Sequence, residues 1–243
     1  MVGGTIPDFE FKYEGSELDL FANACHWRNY WSRQIFPYLG KSVLEVGAGI
    51  GSTTKLLASR AEVWTALEPD SDMAAQIADY AASNVGAGGS TVKVKVGSLQ
   101  SLEPDARYDS ILYIDVLEHI KSDAAEVKLA SEMLKPGGYL ILLTPAHQFL
   151  YTPFDAAIGH YRRYNQHTID SLRPGILTTT KSRYLDSMGM FASLGNKLLL
   201  NSSQPTRKQI VFWDRILVSS STITDSLLNF RFGKSLLTVW QKS

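Results

Sequence analysis

Short apolar runs, each closed by glycine, proline or an acid, alternate along this chain with longer stretches of helical spacing. Val43–Val46, Val63–Leu67, Asp109–Ile114 and Tyr139–Leu143 read as buried strands, the second closing at Glu68-Pro69 and the last at Pro145. Val92–Val96 alternates valine with lysine, which predicts a more exposed strand. Thr53–Ser59, Ser71–Ser83 and Ser122–Leu134 carry helical spacing, with Ser71 the expected N-cap of its helix. Gly86, Gly88 and Gly89 break the chain before the third strand, and Lys135-Pro136-Gly137-Gly138 predicts a turn before the fifth.

Ahead of these elements, Glu17–Tyr38 places Leu18, Leu20, Phe21, Ala24, Trp27, Tyr30, Trp31, Ile35 and Phe36 at helical spacing, and Gly40 ends the pattern. Beyond residue 165 the rhythm is looser. Tyr184 is expected on a sixth strand and Ser235–Trp240 on a last one, while Met188–Leu200 and Gln209–Leu228 carry helical spacing. Strands alternating with helices predict a mostly parallel α/β sheet covered on both faces. Such sheets bind ligands beyond their C-terminal strand ends. Gly47–Gly51, Glu68, Gly97–Leu99, Asp115–His119 and Pro145–His147 should therefore line one edge.

Composition narrows the class. At 243 residues the chain can bury a full core, and one domain is the simplest reading. It divides into a helical lid over 1–40, a cofactor-binding core over 41–165, and a substrate-side cover with the final strands over 166–243. Lys plus Arg number 24 and Asp plus Glu 24, so no net field draws in nucleic acid or an anionic membrane. The lone Cys25 excludes an internal disulfide framework and fits a reducing compartment. No signal peptide and no membrane span are read, and a cytoplasmic location is expected.

The chemistry begins at Val46-Gly47-Ala48-Gly49-Ile50-Gly51-Ser52, where a strand meets alternate glycines and a helix follows. A strand, a Gly-rich turn and a helix N-terminus make a nucleotide-type cofactor site. Glu68, at the end of the second strand, can accept both hydroxyls of a ribose. A NAD site prefers G-x-G-x-x-G, and here the third glycine comes one position early. A cofactor without phosphates needs only backbone amides and room for a zwitterion.

With these residues the chain resembles the class I S-adenosylmethionine-dependent methyltransferases, over roughly residues 20 to 165. Leu44–Gly51 is similar to the family's first motif, and Glu68 to its ribose-binding acid. Asp109–Ile120 is similar to the fourth-strand motif, and Leu134–Gly138 to the turn before the fifth strand. The resemblance implies a Rossmann-like seven-stranded sheet, with S-adenosyl-L-methionine as cofactor. It implies a cofactor set of Glu45, Gly47, Ala48, Gly49, Gly51, Glu68, Pro69, Met73, Gly97, Ser98, Leu99, Asp115 and Val116, with Tyr30 of the N-terminal helix folded over the cofactor. Many members carry an acid after the third strand to meet the adenine amino group; this chain has Val96-Gly97-Ser98-Leu99 instead. Met73 packs on the adenine or in the core. Members that methylate bases or amide nitrogens usually carry a polar residue, two prolines and an aromatic after the fourth strand. Ile114-Asp115-Val116-Leu117 does not match that, which argues against nucleic-acid substrates.

On the acceptor side, the stretch from His147 to Tyr164 leaves the fifth strand at the ligand edge, rich in polar and aromatic groups. Methyl transfer to a hydroxyl needs a base, and histidine titrates near neutrality. His160 is the first candidate, His147 the second and His119 the third; each could equally be structural. Asp155 would orient His160, and Tyr151 and Tyr161 would contact substrate. Arg162 and Arg163 would grip an anionic acceptor or form surface ion pairs. No metal-ligand set is expected. From the N-terminal helix His26, Trp27, Tyr30 and Trp31 would supply a lid, Tyr30 foremost. Met188–Leu200 and Gln209–Leu228 would cover the pocket, with a homodimer surface as another use, while their polar faces are not basic enough to argue for a membrane surface. The expected activity is O-methylation of a small molecule or sugar-type acceptor. C- or N-methylation and a non-catalytic cofactor-binding module are the alternatives.

Overall fold

The computed structural model describes residues 23–83, 89–199 and 206–243. Leu18, Leu20, Phe21, Gly86, Gly88 and Leu200 of the expected patterns lie outside them. Seven strands form one sheet: β1 (Ser42–Val46), β2 (Val63–Glu68), β3 (Thr91–Val96), β4 (Tyr108–Ile114), β5 (Leu134–Pro145), β6 (Leu177–Leu185) and β7 (Ser235–Lys242). Their order is β3-β2-β1-β4-β5-β7-β6. The first five run parallel, and β7 is antiparallel to both β5 and β6. The order reverses between β1 and β4, and the crevice opens there.

Nine α-helices are described: α1 (Cys25–Ile35), α2 (Ser52–Leu57), α3 (Ser71–Ser83), α4 (Asp123–Glu132), α5 (Pro153–Ala157), α6 (Gln166–Asp170), α7 (Ser187–Leu199), α8 (Arg207–Phe212) and α9 (Ser219–Leu227). A π-helical segment, Trp213–Val218, joins the last two. Strand periodicity splits the core across the sheet. On β1, Val43 joins Trp31, Ile35 and Trp64 on one face, while Leu44 and Val46 join Tyr113, Leu142 and Val127 on the other.

Two local expectations are corrected. Lys135–Gly138 is not a turn before β5 but a bulge within it. Leu134 pairs with Tyr108 and Tyr139 with Ser110, so the residues between are pushed out opposite Asp109. Lys135 Nζ donates to Asp109 at 2.9 Å across that bulge. Nor does Ser71 cap α3: Asp70 Oδ1 accepts from the N–H groups of Asp72 and Met73, at 2.9 and 3.1 Å. Ser71 is already helical, which leaves Asp70 in the capping position.

The cover is fastened from within by three aspartates. Asp214, on the π-helical segment, accepts from the N–H of His26 and of Trp27, and so caps α1. Asp225, on α9, accepts from the Tyr30 hydroxyl at 2.8 Å and from the N–H groups of Asp186 and Ser187. Asp186, in the left-handed region at φ 66°, accepts from Trp213 Nε1, Ser221 Oγ and the Gly189 N–H. All three are buried.

Candidate active site

A cleft of about 1100 Å³ opens where the C-terminal ends of β1, β2 and β4 meet α1, α7 and α8. That is room for a nucleoside-sized cofactor and an acceptor together. Gly47 and Gly51 show why the loop after β1 is glycine. Both have positive φ, 66° and 78°. A Cβ on Gly47 would lie 2.7 Å from Val116, and one on Gly51 3.0 Å from Ile77 of α3. The first glycine lets the loop turn under the β4 edge, and the third lets α2 close on α3.

Glu68 closes β2 with one oxygen on the Gly49 N–H, at 2.7 Å, and the other on the Asp70 N–H, at 3.0 Å. Burial pushes its carboxyl up, and these two bonds oppose that. Each oxygen keeps a lone pair for a ribose hydroxyl. Glu45 is held by Thr54 Oγ1 and Trp64 Nε1. Burial still raises its carboxyl to about 7.

Glu45, Gly47, Ala48, Gly49, Glu68, Pro69, Met73, Gly97, Ser98, Asp115 and Val116 all line the cleft. Gly51 does not line it, and Leu99 is sealed in the core at 2% exposure. Tyr30 does not line it either: its hydroxyl points to Asp225, and burial, first, then that bond push the phenol up. Of the expected lid, Trp27 and Trp31 reach the cleft. His26 turns away to Asp214 at 3.0 Å.

The far end of the cleft is polar. Asp115, at φ 53°, follows β4 and lines the cleft, whose walls raise its carboxyl above the usual range despite the positive charges of His160, Lys234 and Arg163. The stretch 147–164 returns to this edge because both its ends are tied. His147 N–H donates to Tyr164 O at 2.7 Å, and Tyr164 N–H to Pro145 O at 2.9 Å. Within it, Tyr161 N–H donates to Glu118 O, which sets His160 beside Glu118 and His119.

His160 Nδ1 lies 3.0 Å from Asp155 Oδ1. The opposite nitrogen, Nε2, lies 3.8 Å from Glu118 Oε1. His119 meets the His160 ring edge-on, with centroids 4.6 Å apart. Burial, then His160, lower the His119 imidazole to about 4. Asp155 is gripped by Arg163 through Nε at 2.8 Å and Nη2 at 3.0 Å. Burial would raise its carboxyl, but the bonds from His160 and Arg163 hold it well below the usual range.

The remaining expected acceptor residues serve this loop. Arg163 spends its guanidinium on Asp155, and Arg162 pairs with Asp123, which also takes the Tyr164 hydroxyl. Tyr151 donates to the His160 carbonyl at 2.6 Å, and Tyr161 is more than half exposed. None of Arg162, Tyr151 and Tyr161 lines the cleft. His147 is stacked on Tyr184 at 4.7 Å and on Phe149 at 5.1 Å, away from the cleft, and burial lowers its imidazole. Glu118 and Lys234 were missed in the sequence. Glu118 stands next to His119 in a fragment read for its other residues. Lys234 immediately precedes β7, far from every motif, and lies 4.1 Å over the Trp213 ring.

The strand order, the glycine cradle and the free lone pairs of Glu68 define a class I S-adenosylmethionine-dependent methyltransferase, and they fit that cofactor. Residues 19–177 match the methyltransferase-domain family, and the chain belongs to it. It is 31% identical over 118 residues to a ubiquinone biosynthesis O-methyltransferase of Xylella fastidiosa, covering 48% of this chain and 46% of that one. It is 28% identical over 179 residues to a probable S-adenosylmethionine-dependent methyltransferase of Mycolicibacterium smegmatis, covering 69% and 65%. The chain thus spans about half to two thirds of these relatives. Among solved structures, the N-methyltransferase NodS of Bradyrhizobium japonicum with S-adenosylhomocysteine superposes with a TM-score of 0.58 at 12% identity, covering 95% and 94%. That likeness is one of fold. No helix among the described residues is long and apolar enough to cross a membrane.

Proposed function

We propose that this enzyme methylates oxygen of a small hydroxylated acceptor with an apolar body. The observation that carries this is the Asp155–His160 pair, whose Nε2, 3.8 Å from Glu118 Oε1, borders a cleft walled by Ile114, Ile120, Phe154, Ile210 and Trp213. The bound sulfonium supplies an already electrophilic methyl group. Glu68 and the glycine loop hold the nucleoside and amino-acid parts of the cofactor. Trp27 and Trp31 keep water from the reacting atoms. Asp155 engages Nδ1, which leaves the Nε2 lone pair to take the acceptor's proton as the oxygen attacks. The matched O-methyltransferase favours oxygen, and the apolar walls favour a hydroxyl on a ring or chain over a bare sugar.

The test joins calorimetry to a labelled-methyl screen of hydroxylated metabolites. S-adenosylmethionine should bind and NAD should not, and an O-methylated product should form. His160→Ala should keep cofactor affinity and lose about 100-fold or more in turnover. Unchanged turnover would move the base elsewhere; product methylated on nitrogen or carbon would overturn the oxygen assignment.

A further inference from the structure

Glu118 is an anomaly beside the other acids of the chain. It is 1% exposed, and neither carboxylate oxygen has a hydrogen-bond partner. A carboxylate removed from water without a partner is costly unless a proton, a cation or a donor meets it. Two imidazoles stand at that spot. One donor atom from each of Glu118, His119 and His160 falls within 4.8 Å of the others. Two ligands about 2.1 Å from one ion lie about 3–4 Å apart, and Glu118 Oε1 is 3.8 Å from His160 Nε2. The outer shell is present too: Asp155 on Nδ1 fixes the tautomer that aims the Nε2 lone pair inward, as carboxylates do behind metal-bound histidines. Arg163 fixes Asp155 in turn.

We infer that Glu118, His119 and His160 form a binding site for one divalent first-row metal ion at the acceptor end of the cleft. Two imidazoles and one carboxylate suit zinc, manganese or iron better than calcium or magnesium. All three residues line the cleft, so the ion's open positions face the acceptor. This rests on the proposed function: an acceptor hydroxyl bound there would be acidified by the ion and would release its proton to solvent, leaving an alkoxide held on the ion, so that Nε2 would serve as a ligand and no longer as the base.

The experiment uses protein stripped with a chelator and dialysed. Zinc and manganese are titrated by calorimetry, with manganese also followed by electron paramagnetic resonance, and S-adenosylhomocysteine is titrated in parallel. The expected result is one metal ion per chain, bound at least tenfold more weakly by Glu118→Gln and by His119→Phe, each with S-adenosylhomocysteine affinity retained. The second variant serves if the first does not fold. Absence of metal binding in protein that binds S-adenosylhomocysteine overturns the metal site and leaves the base role of His160 standing. Metal binding that ignores both substitutions also overturns it. Protein that binds neither ligand overturns the methyltransferase reading, and the metal site falls with it.

Discussion

At the cofactor end, Glu68 meets two backbone N–H groups and keeps lone pairs facing a cleft. Beneath the cover, Asp225 and Asp186 each meet three donors and face none. Both regions bury carboxylates, yet the first keeps a lone pair on each oxygen beside the cleft, while the second, the more nearly saturated set, spends three of about four inside the fold. A buried acid that is fully bonded holds the fold together. A buried acid with spare lone pairs has capacity for a ligand, and Glu118, with no hydrogen bond to either oxygen, stands at the far end of that scale.

The largest expected effect lies in the cover. Asp225→Ala strands the Tyr30 hydroxyl and two buried N–H groups, and should cost about 3–5 kcal/mol in urea unfolding. A loss below about 1 kcal/mol would mean that the clamp is not what fastens α1 and α7. Glu45 tests the cleft side through pH. Its folded carboxyl sits near 7 against an unfolded value of 4.5, so the unfolded state ionises first as pH rises. Stability should therefore fall between pH 4.5 and 7. Glu45→Gln should remove that slope and be more stable at pH 8 by about 3 kcal/mol; a variant no more stable at pH 8 would show that Thr54 and Trp64 already compensate the charge.

Glu68→Ala should weaken S-adenosylmethionine binding by about 2 kcal/mol in calorimetry, with a smaller effect on unfolding. If the two effects were reversed in size, Glu68 would belong with the saturated set. Tyr30→Phe has the smallest expected effect. It should cost about 1 kcal/mol of stability and leave cofactor affinity unchanged. A change in affinity alone would return Tyr30 to the lid.

The cofactor end was readable along the chain because its parts are local. Gly47, Gly49 and Gly51 sit in one turn, Glu68 ends the neighbouring strand, and strand order places them together. The saturated set was not readable, since its bonds join distant segments: Tyr30 and Asp225 are 195 positions apart. Along the chain His26, Trp27, Tyr30 and Trp31 read together as a lid, with Tyr30 foremost. Only the arrival of α9 and the π-helical segment drew Tyr30 and His26 to aspartates and left the two tryptophans at the cleft. The three candidate histidines divided in the same way. His160 and His119 were brought together by the returning stretch 147–164, while His147 turned to stack on Tyr184.

The sequence by itself determined the strands of the sheet, the glycine loop after β1 and the acid that closes β2, because backbone conformation and strand periodicity are set by neighbouring residues. Tertiary structure alone decided which polar side chains are satisfied and which are left facing the cleft. Whether a buried carboxylate becomes a clamp or a ligand depends on which donors the rest of the chain carries to it, and at Glu118 the chain carries two imidazoles and no hydrogen bond.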